Sequence, residues 1–203
     1  MKLINSIVRI FKEYNIYILV IVFFEIYFFL KNYKGFKINF SKNQLMADNI
    51  PCPYYFLIKI NKFLVKRNFD SVIDLGCGSG RIINFINNIY LNKKITGIEY
   101  FNEQYKYTKE IFKNSKNVSI KKLNFIKMNF SKKLYDIYFL SAPFKRKTDF
   151  LNFMNKFVKN NKIKKRIIII INYDKKLINK VKKLRFIDSF YLSKEKGYSI
   201  CIL

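Results

Sequence analysis

Residues Ser71–Phe85 read SVIDLGCGSGRIINF, and the fold of the whole chain turns on how this stretch folds. Val72, Ile73 and Leu75 form a short apolar run, Gly76, Gly78 and Gly80 break it, and Ile82, Ile83, Phe85 and Ile86 resume with helical spacing. That pattern is strand, tight turn, helix. Glycines at alternate positions allow a sharp turn and leave no Cβ where a ligand approaches the backbone. The stretch is not a phosphate-binding loop, which needs G-x-x-x-x-G-K-[ST]. Nor does it fit the dinucleotide fingerprint G-x-G-x-x-G, because Arg81 stands where the third glycine belongs.

Working outward, the same alternation continues. Strands are predicted at Ser71–Leu75, Ile95–Glu99, Val118–Lys121, Asp136–Ser141 and Arg166–Asn172, with helices near Arg81–Tyr90, Asn102–Asn114, Lys147–Asn160 and Asp174–Lys183. A further helical pattern, Tyr54–Lys66, precedes the glycines after a connector containing Pro51 and Pro53, and Phe125–Lys133 is too short and irregular for a helix. Alternating strands and helices imply an α/β fold, a doubly wound, mostly parallel sheet covered on both faces. The end differs: Phe186–Leu192 and Tyr198–Leu203 read as two strands about the polar turn Ser193–Gly197, a C-terminal antiparallel hairpin.

Composition narrows the chemistry. The 203 residues are half hydrophobic, enough for one catalytic domain and an appendage. With 40 Lys and Arg against 13 Asp and Glu the chain carries a formal charge of +27, which suits nucleic acid or an anionic membrane face. The basic residues are scattered along the whole chain, though, as an AT-biased codon usage would also leave them. Histidine is absent, which excludes His-based triads and zinc hydrolases. Cys52, Cys77 and Cys201 are too far apart for a metal cluster or a disulfide framework, so no metal is expected.

The front of the chain has its own character. Ile16–Leu30 is apolar or aromatic except for Glu25, and as a helix it would extend about 22 Å, short of the roughly 30 Å hydrocarbon core of a bilayer. Tyr14, Tyr17, Tyr27 and Tyr33 would suit headgroup level, with Lys12 and Lys31 snorkelling. Glu25 argues against a span unless it is neutralised or paired. The expectation is a membrane-associated helix over residues 1–35, meeting the bilayer through residues 14–30, and a domain over 36–203. Lys2, Arg9, Lys12, Lys31, Lys34, Lys37 and Lys42 flank the apolar run on both sides and place the catalytic part on the cytoplasmic face only weakly.

Glu99 closes the predicted second strand, in ITGIEY, about 20 residues beyond the glycines, where a carboxylate can accept hydrogen bonds from both ribose hydroxyls of a nucleoside. DLGCGSG matches D-x-G-x-G-x-G, and with Glu99 the chain resembles the class I S-adenosylmethionine-dependent methyltransferases. The resemblance implies S-adenosylmethionine as cofactor, with Gly76, Cys77, Gly78 and Gly80 forming the donor loop. It also implies that Asp74 steadies that loop or meets the donor's methionine part, and that Tyr100 packs beside the adenine. The acid that often follows the third strand in this family is replaced by Asn124, with Phe125 next to it.

The predicted fourth strand runs into SAPF, Ser141–Phe144, which resembles the [DNS]-P-P-[YFW] signature of methyltransferases acting on nitrogen, with Ala142 in place of the first proline. By that resemblance Ser141, Pro143 and Phe144 are the catalytic candidates, Ser141 accepting from the target nitrogen and Phe144 stacking on it. The order of parts, with IPCPYYFLIKINKFL ahead of the glycines, is similar to small membrane-anchored methyltransferases, including those that modify lysine. The implied acceptor is a protein lysine at or in a membrane. Methylation of a nucleic-acid base, or a non-catalytic module binding S-adenosylmethionine, are the alternatives. The donor is an activated sulfonium, so alignment rather than a strong base is the main requirement.

Overall fold

The computed structural model describes residues 17–35, 51–130, 135–160 and 166–203. Helix α1 (Tyr17–Leu30) is followed by α2 (Tyr54–Leu64), β1 (Ser71–Leu75), α3 (Arg81–Ile89), β2 (Lys94–Glu99), α4 (Asn102–Ile111) and β3 (Val118–Lys122). A 3-10 turn at Phe125–Lys127 leads to β4 (Ile137–Ser141), α5 (Lys147–Asn160), β5 (Ile167–Ile171), α6 (Lys175–Ile178), β6 (Arg185–Tyr191) and β7 (Gly197–Ile202). The fold is α/β, as expected. Its seven strands are ordered β3-β2-β1-β4-β5-β7-β6. The first five pair in parallel, and β7 runs antiparallel to both β5 and β6.

Burial on both faces explains why the central strands read as continuous apolar runs. In β5, Ile167, Ile169 and Ile171 enter one core while Ile168 and Ile170 enter the other. In β4 the same alternation sends Ile137 and Phe139 to one side and Tyr138 and Leu140 to the other. The first core is closed by Phe56, Leu57, Ile60 and Leu64 of α2 and Ile82, Ile83, Phe85 and Ile86 of α3; the second by Phe150, Phe153, Met154 and Phe157 of α5. At the edge where the parallel strands begin, Asp136 accepts hydrogen bonds from the amides of Asp70 and Ser71 and from the Ser71 hydroxyl, fastening β1 to β4. This is the end away from the glycine loop, and Asp136 is structural there.

The helix over the N-terminal apolar run requires a correction. It extends from Tyr17 to Leu30, 14 residues and about 21 Å. No helix among the described residues is long and apolar enough to cross a membrane. The transmembrane anchor, the membrane partner through residues 14–30 and the membrane-associated, cytoplasm-facing placement built on it are therefore not retained. The resemblance to membrane-anchored lysine methyltransferases loses its support with them, and so does the membrane lysine acceptor. Tyr14 and Ile16 of that run, the flanking Lys2, Arg9, Lys12, Lys37 and Lys42, and residues 131–133 of the irregular stretch lie outside the described residues.

The physical reason is that α1 is bound to the domain. Phe28 is buried and stacks on Tyr54 of α2 with ring centroids 4.3 Å apart, and it joins the core beneath α2 and α3. Burying such a side chain is worth about 1.5–3 kcal/mol. Phe24 stacks on Tyr55, and Tyr17 meets Phe190 of β6 edge-on. Glu25, which argued against a span, is paired with Arg81. Leu19, Phe23, Ile26, Phe29 and Leu30 remain exposed on the outer side of α1.

Candidate functional site

The glycine run folds as its spacing requires. Gly76, Gly78 and Gly80 all adopt positive φ, at 84°, 52° and 81°, backbone that L side chains rarely enter. The amides of Gly76 and Cys77 both donate to the carbonyl of Ile98, which stitches the loop to the end of β2. The Gly80 position also has no room for a side chain, since a Cβ there would lie 2.8 Å from Thr108 Cγ2 and 2.9 Å from Phe112 Cε2. The Thr108 hydroxyl donates to the Gly78 carbonyl at 2.6 Å. The loop is thus held from α4 as well as from the sheet.

Glu99 is buried at the C-terminal end of β2 and accepts three backbone hydrogen bonds at 2.8 Å, from Gly78, Tyr100 and Phe101. Burial pushes its carboxyl above the ordinary value, and the three amides work in the opposite direction. Its geometry serves two purposes: it ties the glycine loop to the β2–α4 turn and turns its remaining lone-pair capacity towards the cleft it lines. Asp74 is fully buried two residues before the loop's first glycine, and its Oδ1 has no hydrogen-bond partner among the described residues. Burial, with repulsion from Glu99 second, lifts its pKa to about 8. A buried carboxyl oxygen without a partner costs free energy, and a cationic ligand in the cleft would remove that cost.

A cleft with about 700 Å³ of empty space, partly open to solvent, joins these groups. Of the candidates from the sequence, Asp74, Gly76, Cys77, Gly78, Glu99, Tyr100, Phe125, Ser141 and Pro143 line it. Three others do not. Gly80 sits behind the loop against Thr108 and Phe112. Asn124 uses its side-chain oxygen to cap the 3-10 turn, accepting from the Ile126 amide. Phe144 is buried, its ring packed against Phe125 and Phe153 at centroid distances of 5.5 Å, and its backbone bonded to the Tyr173 hydroxyl. Stacking of Phe144 on an acceptor nitrogen is not what this arrangement offers.

The β4–α5 loop nevertheless reaches the cleft through Ser141, Ala142 and Pro143. Ala142 has a φ of 42°, unusual for a residue with a Cβ, and its amide donates to the Ile171 carbonyl. Local strain of this kind clusters at functional sites. Pro143 also approaches the glycine loop: a Cβ at Gly76 would stand 3.3 Å from it. Cys77 is buried and its thiol is pushed well above the ordinary value by burial, so it is inert filler. Pro51, Cys52, Ser79, Arg81, Ile82, Phe101 and Gln104 complete the lining and were not foreseen there. The sequence signalled that Glu25, an acid in an apolar run, needs a partner, but not that Arg81 is that partner.

Among the described residues no group of His, Cys, Asp and Glu could hold a metal ion. The residues do suit a compact cationic nucleoside: open glycine backbone, a carboxylate at the second strand end, an exposed aromatic at Tyr100, and the partnerless Asp74 oxygen. Glu99→Ala is expected to weaken binding of S-adenosylhomocysteine about five- to hundred-fold in calorimetry, through loss of a carboxylate acceptor and of the loop tie. Unchanged affinity would place the ribose contact elsewhere.

Comparison with known proteins gives a consistent result. Residues 67–196 match a family model described as a methyltransferase domain. Over 67 residues the chain is 37% identical to the 235L protein of Invertebrate iridescent virus 6, which is named as a methyltransferase; the match covers 33% of this chain and only 24% of that protein. Among solved structures, the yhhF protein of Escherichia coli, also named as a methyltransferase, aligns with a TM-score of 0.62 at 14% identity, over 75% of this chain and 86% of that one. The riboflavin-analogue dimethyltransferase RosA of Streptomyces davawensis aligns at 0.59 and 9% identity, over 73% and 54%. Aeropyrum pernix fibrillarin with bound S-adenosyl-L-methionine aligns at 0.55 and 13% identity, over 71% and 74%. At such identities the structural likenesses establish the fold.

Proposed function

Because the chain belongs to the methyltransferase-domain family, we propose that it is an S-adenosylmethionine-dependent methyltransferase and that the cleft between the glycine loop and the β4–α5 loop is its active site. The observation that carries this is the convergence of Asp74, the glycine loop, Glu99 and Ser141–Pro143 on a single cleft. S-adenosylmethionine, when bound, supplies an activated methyl group on a sulfonium. Gly76 and Gly78 let the backbone approach the donor, Glu99 takes the ribose hydroxyls, Tyr100 covers the adenine, and Asp74 faces the positively charged methionine part. Ser141 and Pro143 mark the side from which the acceptor reaches the methyl group, with the Ser141 hydroxyl available to orient it.

No histidine is needed for such a reaction. The residues align acceptor and donor, and alignment alone can contribute several orders of magnitude to the rate. Calorimetry on the intact chain tests the assignment: S-adenosylmethionine and S-adenosylhomocysteine are expected to bind with one-to-one stoichiometry, and NADH is expected not to. Binding of NADH in their place would sink the reading.

A further inference from the structure

We propose that Glu25 of helix α1 is a positioning residue of the donor site, acting through Arg81 to hold the glycine loop and to neutralise a cation on the wall of the cleft. This rests on the cleft being the donor site. Arg81 is the first residue of α3, directly after Gly80, and lines the cleft. Its side chain is 8% exposed and its Nη1 lies 2.8 and 3.0 Å from the two carboxylate oxygens of Glu25. The same Glu25 accepts from the amide of Tyr54 at the start of α2, where the helix dipole favours a negative charge. One carboxylate on α1 therefore joins the N-termini of α2 and α3.

The chain that leaves α1 tightens the connection. The Gly35 carbonyl accepts from Arg81 Nε and from the Ser79 hydroxyl, so it grips the glycine loop itself. Gly35 has a φ of 92° and lies so close that a Cβ would stand 2.6 Å from Arg81 Cα. Arg81 Nη1 also donates to the carbonyl of Cys52, another cleft residue, and the guanidinium lies 4.7 Å from the Tyr54 ring centroid. Lys34 continues the contact, its amide donating to Asn84 of α3.

Electrostatics give the arrangement its consequence. S-adenosylmethionine carries a sulfonium that S-adenosylhomocysteine lacks. A buried guanidinium on the cleft wall repels that extra charge unless an anion stands beside it, and Glu25 is the anion bonded to it. Loss of Glu25 would weaken both ligands by loosening the loop, but the sulfonium more. A purely structural role would weaken the two alike.

The test is calorimetry of both ligands on the full chain, with thermal melting recorded alongside. Glu25→Gln is expected to weaken S-adenosylmethionine about tenfold and S-adenosylhomocysteine no more than about threefold. Glu25→Asp, which keeps the charge but withdraws it by one methylene, is expected to show the same ordering at smaller size, and it carries the test if the Gln variant does not fold. Adding Arg81→Met to Glu25→Gln should return the ratio of the two affinities to that of the parent. Phe24→Leu loosens α1 at Tyr55, away from the Tyr54 ring that Arg81 covers, and should lower the melting temperature while leaving the ratio unchanged. Equal losses for the two ligands in Glu25→Gln, or the same change of ratio in Phe24→Leu, would overturn the proposal. Failure of the unsubstituted chain to bind either ligand would instead overturn the donor-site reading on which it stands.

Discussion

Gly78→Arg is expected to remove measurable S-adenosylhomocysteine binding, a loss of well over about hundred-fold, while the protein still folds. Gly78 lines the cleft at the middle of the loop, with its amide on Glu99 and its carbonyl on the Thr108 hydroxyl. A long charged side chain at this point would compete with the donor for the cleft and add a positive charge to a site that must accept another. The backbone cost is small by comparison: a φ of 52° lies in the left-handed region, where a residue other than glycine is disfavoured by about 1–2 kcal/mol. Calorimetry shows the loss, and melting within several degrees of the parent shows that folding survives. Near-parental affinity in a folded variant would exclude the glycine loop from the donor site.

Asp74→Asn is the second substitution with a large expected effect, and pH tells its mechanism. In the free protein the Asp74 pKa stands at about 8, raised first by burial and then by Glu99. Binding a cationic donor favours the ionised form, so a proton must leave when S-adenosylmethionine binds at pH 6.5. Affinity should therefore rise with pH, by up to about tenfold per unit, and level off near pH 8. The asparagine variant should show a flat profile and bind about ten- to hundred-fold more weakly at pH 8.5, the value of a hydrogen bond to a charged group. Stability runs the other way. The folded pKa exceeds the unfolded value of about 3.9, so the folded state holds more protons between these values and the free protein loses stability as pH rises through that window. Asp74→Asn should remove that part of the loss, visible as a higher melting temperature than the parent at pH 8 without ligand. An affinity for S-adenosylmethionine that falls with pH would mean that Asp74 meets the donor as a neutral acid.

Much of the scaffold could be read from residue types because the central strands are buried on both faces. Ser71–Leu75 and Lys147–Asn160 begin and end where their patterns do. The reading was poorer where a pattern permits more than one outcome. Leu177, Ile178 and Val181 have helical spacing, yet α6 stops at Ile178, and Lys183 has a φ of 71° that no helix continues through. SAPF located the loop that reaches the cleft but not the direction of the Phe144 ring, which depends on Phe125, Phe153 and Tyr173, contacts that no local motif encodes. Asn124 failed for a local reason instead, since its side chain caps its own turn two residues on. Glu25 and Arg81 are 56 positions apart, and neither residue signals the other without the fold that brings them together.

Strand β7 sits between β5 and β6 although both precede it in the chain. During synthesis, therefore, β5 emerges with one flank unsatisfied: five consecutive isoleucines, Ile167–Ile171, whose backbone groups on that side wait for residues 197–202. Until the β6–β7 hairpin docks, the nascent protein presents a long, apolar, uncharged edge of the kind that recruits other chains. Ribosomal pausing or premature termination between residues 172 and 196 would leave that edge open, so incomplete products of this chain should aggregate or require chaperones where the finished one does not.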